Sequence, residues 1–191
     1  NSFTYLGITN PRYGVNIFTG TLFKYVYVLP KYIDDVFCDT PVGKNSGSCG
    51  ASLNFSIDSN SLTITGSGPM KNYTSKYFPP WYFYQNNIQT ISISNEATSI
   101  GDYAFNQFMT IQTVIIPASV TYVGHYAFSG SINLRKVTYL GKIDPPYGFD
   151  IFEGSQTRMI YVPYDYGSYS FCSYQVIYLP EAVTGSCGQT I

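Results

Sequence analysis

Charge is the scarcest property of this chain of 191 residues. Only 11% of the residues are charged, with 10 Lys and Arg against 11 Asp and Glu, and the formal net charge is −1. An average soluble domain has about 25% charged residues. The sequence contains no basic stripe that could follow a phosphate backbone, so its composition argues against nucleic-acid binding.

Long apolar runs are also missing from the sequence. No run approaches the roughly 20 residues that a membrane-spanning helix needs, so we expect no membrane span in this segment. The chain starts with "NSFTYLGITN". This start has neither the basic head nor the apolar stretch of a signal peptide.

Patterns that accompany catalysis are scarce. The sequence has no G-x-S-x-G motif around a nucleophile, and "GSG" from Gly66 lacks the Lys-Ser/Thr that completes a phosphate-binding loop. The single histidine, His125, has no second ligand at metal-binding spacing and stands where a repeated phrase has Asp102, which is typical of an exposed turn residue. We therefore expect no enzyme activity, no cofactor and no metal. A glycosidase-type enzyme remains the alternative.

Aromatic residues are abundant, with 20 Tyr and 13 Phe. Aromatic and hydroxyl-rich sequences with little charge favour β structure, because such side chains pack well on pleated surfaces. The composition therefore predicts a mostly β fold.

A phrase of eight residues occurs twice, as "TSIGDYAF" from Thr98 and "TYVGHYAF" from Thr121. Apolar positions recur at the same spacing. The segments are "IQTISIS" from Ile88, "IQTVIIP" from Ile111, "LRKVTYL" from Leu134 and "TRMIYVP" from Thr157. A constant period of about 23 residues predicts a solenoid of parallel strands with one face inward. We expect Ile91, Val114 and Val137 to form one aligned column, and Gly101 and Gly124 to let the chain turn.

A longer repeat lies over the short one. "YLGITNPRYGVNIFTG" from Tyr5 returns as "YLGKIDPPYGFDIFEG" from Tyr139, and "GSCG" from Gly47 returns from Gly185, at a slightly larger offset. The repeat predicts four parts. Residues 1–45 close a preceding unit, residues 46–80 form the cap of a second unit, residues 81–186 form its repeats and closing segment, and residues 187–191 begin a further unit.

The cap segment has strand alternation around a turn. Leu53, Phe55 and Ile57 alternate before Asp58-Ser59-Asn60, and alternation resumes after it, which predicts a β-hairpin. A solenoid needs a cap over its open apolar end. Trp81, the only tryptophan, is expected to be a core residue between this cap and the repeats.

These residues together resemble the BspA-like leucine-rich-repeat family, whose short repeating unit matches "ATSIGDYAFNQFMTIQTVIIPASVTYVGHYAF". The resemblance implies a short leucine-rich-repeat-type solenoid with a β-hairpin N-terminal cap and short helical turns. It also implies an extracellular or cell-surface protein, an adhesin or interaction scaffold, without catalysis.

The four cysteines are even in number, which favours disulfides, with a metal site as the rival. Repeats separate Cys49 from Cys172, and bridged Cα atoms must lie within about 7 Å. We therefore predict the pairs Cys38–Cys49 and Cys172–Cys187, each closing a short loop.

Two kinds of surface residue complete the predicted sites. Asn54 and Asn72 begin glycosylation sequons, although chance sequons are common in such chains. Tyrosines in irregular segments are candidate contact residues, or else only seal gaps between loops. They are Tyr73, Tyr77, Tyr82, Tyr84, Tyr164, Tyr166, Tyr169 and Tyr174.

Two functions follow from these predictions. The first is adhesion or interaction with a host or matrix protein or a glycan. The second is a structural protein whose identical units continue head to tail into a filament or surface coat, since uncapped solenoid ends associate and contacts that do not close produce filaments.

Overall fold

The computed structural model describes residues 44–181 in full and, before them, only the backbone of four short strands. These strands are β1 (Ser2–Tyr5), β2 (Tyr25–Val28), β3 (Val36–Phe37) and β4 (Thr40–Gly43). They form one sheet in the order β1-β2-β4-β3, in which only the β3–β4 pair is antiparallel.

A hairpin sheet comes next along the chain. It contains β5 (Ser46–Ser48), β6 (Gly50–Asp58), β7 (Ser61–Met70) and β8 (Thr90–Ser92), and a further strand, β9 (Glu96–Ser99), also pairs with β7. β6 and β7 are antiparallel around the tight turn at Ser59 and Asn60, as the alternation predicts. Both β8 and β9 run parallel to β7, so the hairpin leads directly into the repeats.

The repeats form a third sheet, in the order β10-β11-β12-β14-β13. Its strands are β10 (Thr113–Ile116), β11 (Lys136–Tyr139), β12 (Ile160–Val162), β13 (Ser170–Phe171) and β14 (Tyr174–Tyr178). β10, β11, β12 and β14 are parallel neighbours, and Val114 pairs with Val137, which pairs with Ile160, so that each pairing spans one sequence repeat. Ile91 differs from the expected column, because it pairs with Leu62, while β8 lies beside β10 without pairing with it.

The prediction of a mostly β fold is confirmed. In the part of the chain that the structure describes, the helical content is one 3-10 helix at Tyr82–Tyr84. The segments opposite the strands are therefore turns rather than helices. Tyr103 and Tyr126 occupy equivalent positions in these turns, and both have a left-handed φ of 55°, a conformation that L-residues rarely adopt.

The core contains a row of aromatic rings that runs through successive repeats. Trp81 lies 6.0 Å from Phe105, Phe105 lies 5.2 Å from Phe128, and Phe128 lies 5.4 Å from Phe152, measured between ring centroids. Trp81 is fully buried and also contacts Phe55 of the hairpin at 5.0 Å, so it joins the hairpin to the repeats as predicted.

Polar side chains connect the repeats where charge is scarce. Three of them, spaced about one repeat apart, donate hydrogen bonds to carbonyl groups of the preceding repeat. The pairs are Thr110 Oγ1 with the Ile88 carbonyl, Asn133 Nδ2 with that of Met109 (2.6 Å) and Thr157 Oγ1 with that of Leu134 (3.2 Å). Backbone carbonyls in the turns are thereby satisfied without ionised groups.

Candidate functional site

The outward side of the parallel strands carries one prominent side chain from each strand. Strand residues alternate in direction, so the side chains between the buried ones point away from the core. Ile115 pairs with Thr138, Thr138 with Tyr161 and Tyr161 with Ile177 across the four parallel strands. We call these four residues the outer strand face. Ile115 is 57% exposed, and the other three are half-buried.

The chemistry of the outer strand face is apolar and hydroxyl-rich. Lys136 Nζ lies 4.8 Å from the centroid of the Tyr161 ring, which places one positive charge over an aromatic surface. Beside Ile115, a depression of about 330 Å³ between β8 and β10 is lined partly by Ile91, Ile93 and Thr113. Such a surface suits contact with a protein or stacking against a sugar ring.

The eight candidate tyrosines do not share one surface. Tyr77, Tyr164 and Tyr169 are exposed, by 56%, 53% and 90%. Tyr82 and Tyr84 lie on the 3-10 helix and are half-buried. None of the eight belongs to the outer strand face.

Three of these tyrosines belong to the core or its edge. Tyr73 and Tyr166 are only 6% and 5% exposed, which removes both from the candidate contact residues. Tyr174 is half-buried and closes the aromatic row, 5.2 Å from Phe152. Sequence could not assign Tyr73 and Tyr166, because irregular segments lack the alternation that separates inward from outward side chains. Tyr174 was expected in an irregular segment but begins β14.

Alternation within the strands was the signal for the residues that were missed. Ile115 and Tyr161 each stand between two core residues, so they must point outward. Ile177 pairs with Tyr161 across β12 and β14, and so it lies on the same side of the sheet. The same alternation that identifies the core residues of a strand also identifies its outward residues.

Asp144 organises the end of the repeat sheet. Its Oδ1 accepts a hydrogen bond from the Cys172 backbone N–H at 2.9 Å, and its Oδ2 accepts one from Ser170 Oγ at 3.4 Å. Tyr166 Oη donates to the Ser170 carbonyl at 2.9 Å. Burial, with Asp144 as a second cause, raises the pKa of both Tyr166 and the Cys172 thiol well above their usual range.

Cys49 and Cys172 are buried, and among the described residues neither forms a disulfide, so they are not joined to each other. Burial raises the pKa of the Cys49 thiol to about 12, which disfavours the reactive thiolate. Their predicted partners, Cys38 and Cys187, lie outside the described residues. The pairs Cys38–Cys49 and Cys172–Cys187 therefore stay predictions.

Both sequon asparagines are exposed. Asn54 lies on β6 between the buried Leu53 and Phe55, and so it faces solvent. The Asn72 Oδ1 atom accepts a hydrogen bond from the Asp102 N–H at 3.1 Å. A glycan would be attached to the Nδ2 atom of either residue, so the hydrogen bond at Asn72 Oδ1 does not occupy the attachment atom. Glycosylation of both residues stays a prediction.

His125 takes part in a chain of hydrogen bonds between turns. The Asp102 Oδ1 atom accepts a hydrogen bond from the His125 N–H at 2.8 Å, and the His125 Nδ1 atom accepts one from the Phe149 N–H at 3.1 Å. His125 is half-buried, so it is a structural residue rather than simply an exposed one.

The described residues contain neither a candidate metal site nor a candidate membrane-spanning helix. Across residues 44–181 and the four upstream strands, His, Cys, Asp and Glu form no group of three that could hold a metal ion. In the same residues, no helix has the length and apolar character that crossing a bilayer requires.

The parallel strands pair at a step of one sequence repeat. Matching turns connect them, and side-chain hydrogen bonds join one repeat to the next. These features define a repeat protein of the leucine-rich-repeat class. The chain belongs to the BspA-type leucine-rich-repeat family. The family's repeat region, in 6 copies, matches residues 76–185, which is more than half of the chain.

Comparison with individual proteins adds one structure. A crystal structure of a leucine-rich repeat protein from Eubacterium ventriosum is 22% identical to this chain, with a TM-score of 0.48. The similarity covers 64% of this chain and 38% of the other, so the chain spans well under half of that protein. No curated protein matches the chain.

Proposed function

We propose that this chain is a non-enzymatic interaction protein of the cell surface or the extracellular space, which binds a protein or a glycan through its outer strand face. The observation that carries the proposal is the row of Ile115, Thr138, Tyr161 and Ile177, which are paired in register across four neighbouring parallel strands on the side away from the core. Membership of a family of typically extracellular repeat proteins supports the location.

The rigidity of the sheet favours binding. Side chains on paired strands lose little conformational freedom when a partner covers them, and ordering a mobile side chain costs about 0.5–1.5 kcal/mol. Fully burying a large apolar side chain contributes about 1.5–3 kcal/mol. Ile115 is 57% exposed and Tyr161 is half-buried, so covering them contributes part of this free energy to a contact.

The chemistry of the described thiols supports a function without catalysis. A nucleophilic cysteine needs a lowered pKa and access to solvent. Cys49 and Cys172 have the opposite properties, because both are buried and both have a raised pKa.

The architecture proposed with this function is a short solenoid, whose repeats have the period of about 23 residues that the sequence predicts. The repeats occupy residues 81–186, and the hairpin of residues 46–80 caps them. The pairing steps in the repeat sheet and the contact of Trp81 with both Phe55 and Phe105 support this architecture. Residues 1–45 would close a preceding unit, and residues 187–191 would begin another.

A binding experiment on the outer strand face tests the proposal. The full chain is applied to arrays of glycans and of extracellular-matrix proteins, together with Ile115→Ser/Tyr161→Ser and the control Tyr169→Ser, whose side chain is 90% exposed elsewhere. We expect the double variant to bind at least about tenfold more weakly, equivalent to about 1.4 kcal/mol, and the control to bind normally. Equal loss in the control, or no binding by the unmodified chain, contradicts the proposal.

A second candidate function is a structural protein that assembles end to end. The observation that favours it is the strand pairing of β1, β2 and β4, which recurs in β11, β12 and β14 at the offset of the longer sequence repeat. Electron microscopy of the native protein tests it. Fibres with an axial repeat of one unit support the structural function, and dispersed particles contradict it.

A further inference from the structure

The described chain contains two sheet ends with the same construction. The orders β1-β2-β4-β3 and β11-β12-β14-β13 correspond strand by strand, with equal registers. The parallel pair Val26–Val42 of the first copy corresponds to Ile160–Val176 of the second. The antiparallel pair Phe37–Thr40 corresponds to Phe171–Tyr174. In both copies a short antiparallel strand covers the first half of the last parallel strand and leaves its second half uncovered.

In the first copy, the hairpin sheet and the 3-10 helix adjoin this uncovered half. β4 lies beside the helix at Tyr82–Tyr84, and the Lys44 N–H donates to the Pro80 carbonyl at 3.2 Å. The next residue, Asn45, accepts a hydrogen bond from the Ile57 N–H at 2.6 Å. Lys44 is consequently only 7% exposed.

In the second copy, no described strand covers the equivalent half-strand, although the Tyr178 hydroxyl donates to the Ser168 carbonyl at 2.9 Å. Tyr178 corresponds to Lys44 and is 41% exposed. The Leu179 N–H donates to the Val162 carbonyl on the β12 side, so the preceding N–H, that of Tyr178, points to the opposite side of the strand. Among the described residues, β13 is the strand that pairs on that side, and it reaches only Tyr174 and Gln175.

We propose that the open half of β14 is a docking surface for the hairpin and 3-10 helix of a second copy of this unit that follows in tandem. An interface of this kind already exists within the chain, where β4 and Lys44 contact the segment around Pro80. In the tandem arrangement, β14 and Tyr178 would make the equivalent contact with the second copy. The sequence supports this occupant, because Gly185–Gly188 repeats Gly47–Gly50. The proposal concerns units that follow one another in a single chain, and it does not depend on the end-to-end assembly of separate molecules given above.

A tandem copy fits this surface better than a separate molecule does. In a second, identical chain, the hairpin and 3-10 helix already adjoin that chain's own β4 and Lys44. A separate chain would therefore have to displace its own strands before it could dock.

Hydrogen exchange of the full chain gives the first test, because it compares two equivalent amides in one molecule. We expect the Tyr178 amide to exchange at least about tenfold faster than the Lys44 amide, since exchange follows local hydrogen bonding and opening. Equal protection of the two amides would mean that the edge at Tyr178 is already covered, and it would overturn the proposal.

A tandem chain gives the second test. It consists of the full chain extended after Ile191 by a copy of residues 54–181, and its control carries a Gly/Ser extension of the same length. We expect the Tyr178 amide to exchange at least about tenfold more slowly in the tandem chain than in the control.

Two outcomes of the tandem experiment overturn the proposal. In the first, the Tyr178 amide exchanges at the same rate in the tandem chain and the control, although the hairpin amides of the second copy are protected and that copy has therefore folded. In the second, the hairpin amides of the second copy are not protected, so the added copy does not form the hairpin that should dock. The array experiment on the outer strand face is independent, so its failure leaves this docking surface standing.

Discussion

At the scale of single residues, Gly101 and Gly124 are required by the fold, but for a reason other than the one the sequence predicted. Gly101 and Gly124 were expected to let the chain turn, but neither has a φ in the left-handed region. A Cβ atom at Gly101 would lie 2.0 Å from the Lys71 carbonyl oxygen, and one at Gly124 would lie 2.5 Å from the Asp102 nitrogen. The expectation about turning was wrong, and these glycines instead allow close approach, of Gly101 to the segment after β7 and of Gly124 to the preceding repeat.

Replacing Gly124 by Ala tests this interpretation. We expect Gly124→Ala to lower the free energy of unfolding by about 1–3 kcal/mol, because the methyl group overlaps backbone atoms of the neighbouring repeat. Urea unfolding measures the change. Gly167→Ala is the control, since its nearest contact is at 3.4 Å, and a similar loss there would contradict the interpretation.

Asp102 tests the hydrogen bonds between turns. Asp102→Ala removes the acceptor of the His125 N–H, and we expect the free energy of unfolding to fall by about 1–2 kcal/mol. Asp102→Asn keeps a side-chain oxygen at this position and should retain most of the stability in the same urea titration. If Asn costs as much as Ala, the hydrogen bond is not the cause.

At the scale of elements, the strands of the repeats follow directly from the spacing of apolar residues, whereas their neighbours do not. The parallel pairing of β7 with both β8 and β9 was not predicted. Hairpin alternation specifies two strands and a turn, but it contains no information on what pairs with the outer edge. The missing pairing between β8 and β10 was not predicted either.

The aromatic row gives a test at this scale. In double-mutant cycles with Leu substitutions, Phe105 and Phe128 should couple by about 0.5–1.5 kcal/mol, because their rings are in contact. Phe105 and Phe152 are separated by Phe128 and should be additive within about 0.5 kcal/mol. Urea unfolding of the single and double variants measures both terms, and equal coupling in the two cycles would contradict a contact-based row.

At the scale of the whole molecule, the two described cysteines lie near the sheet ends where we propose that units join. Cys49 lies in the hairpin sheet region and Cys172 at the turn between β13 and β14, with the repeats between them. Each cysteine is thus near one of the two proposed junctions between units. A disulfide there would stabilise the junction by restricting the unfolded chain.

Peptide mapping without reduction tests the predicted disulfides. We expect a Cys38–Cys49 peptide and a Cys172–Cys187 peptide, both of which separate after reduction. Each would contribute about 2–4 kcal/mol to stability. A peptide that joins Cys49 to Cys172 would refute the pairing.

The sequence by itself determined which side chains are buried in the repeats, because strand alternation and a constant spacing leave one way to hide apolar groups such as Val114 and Val137. Its longer repeat also showed that residues 1–45 correspond to the closing segment of the second unit. Only the tertiary structure decided that Tyr166 is buried and that Ile115, Tyr161 and Ile177, on strands far apart in sequence, line up on one face of a sheet. Those properties depend on which residues of distant segments lie alongside, and one linear sequence does not state its neighbours in space.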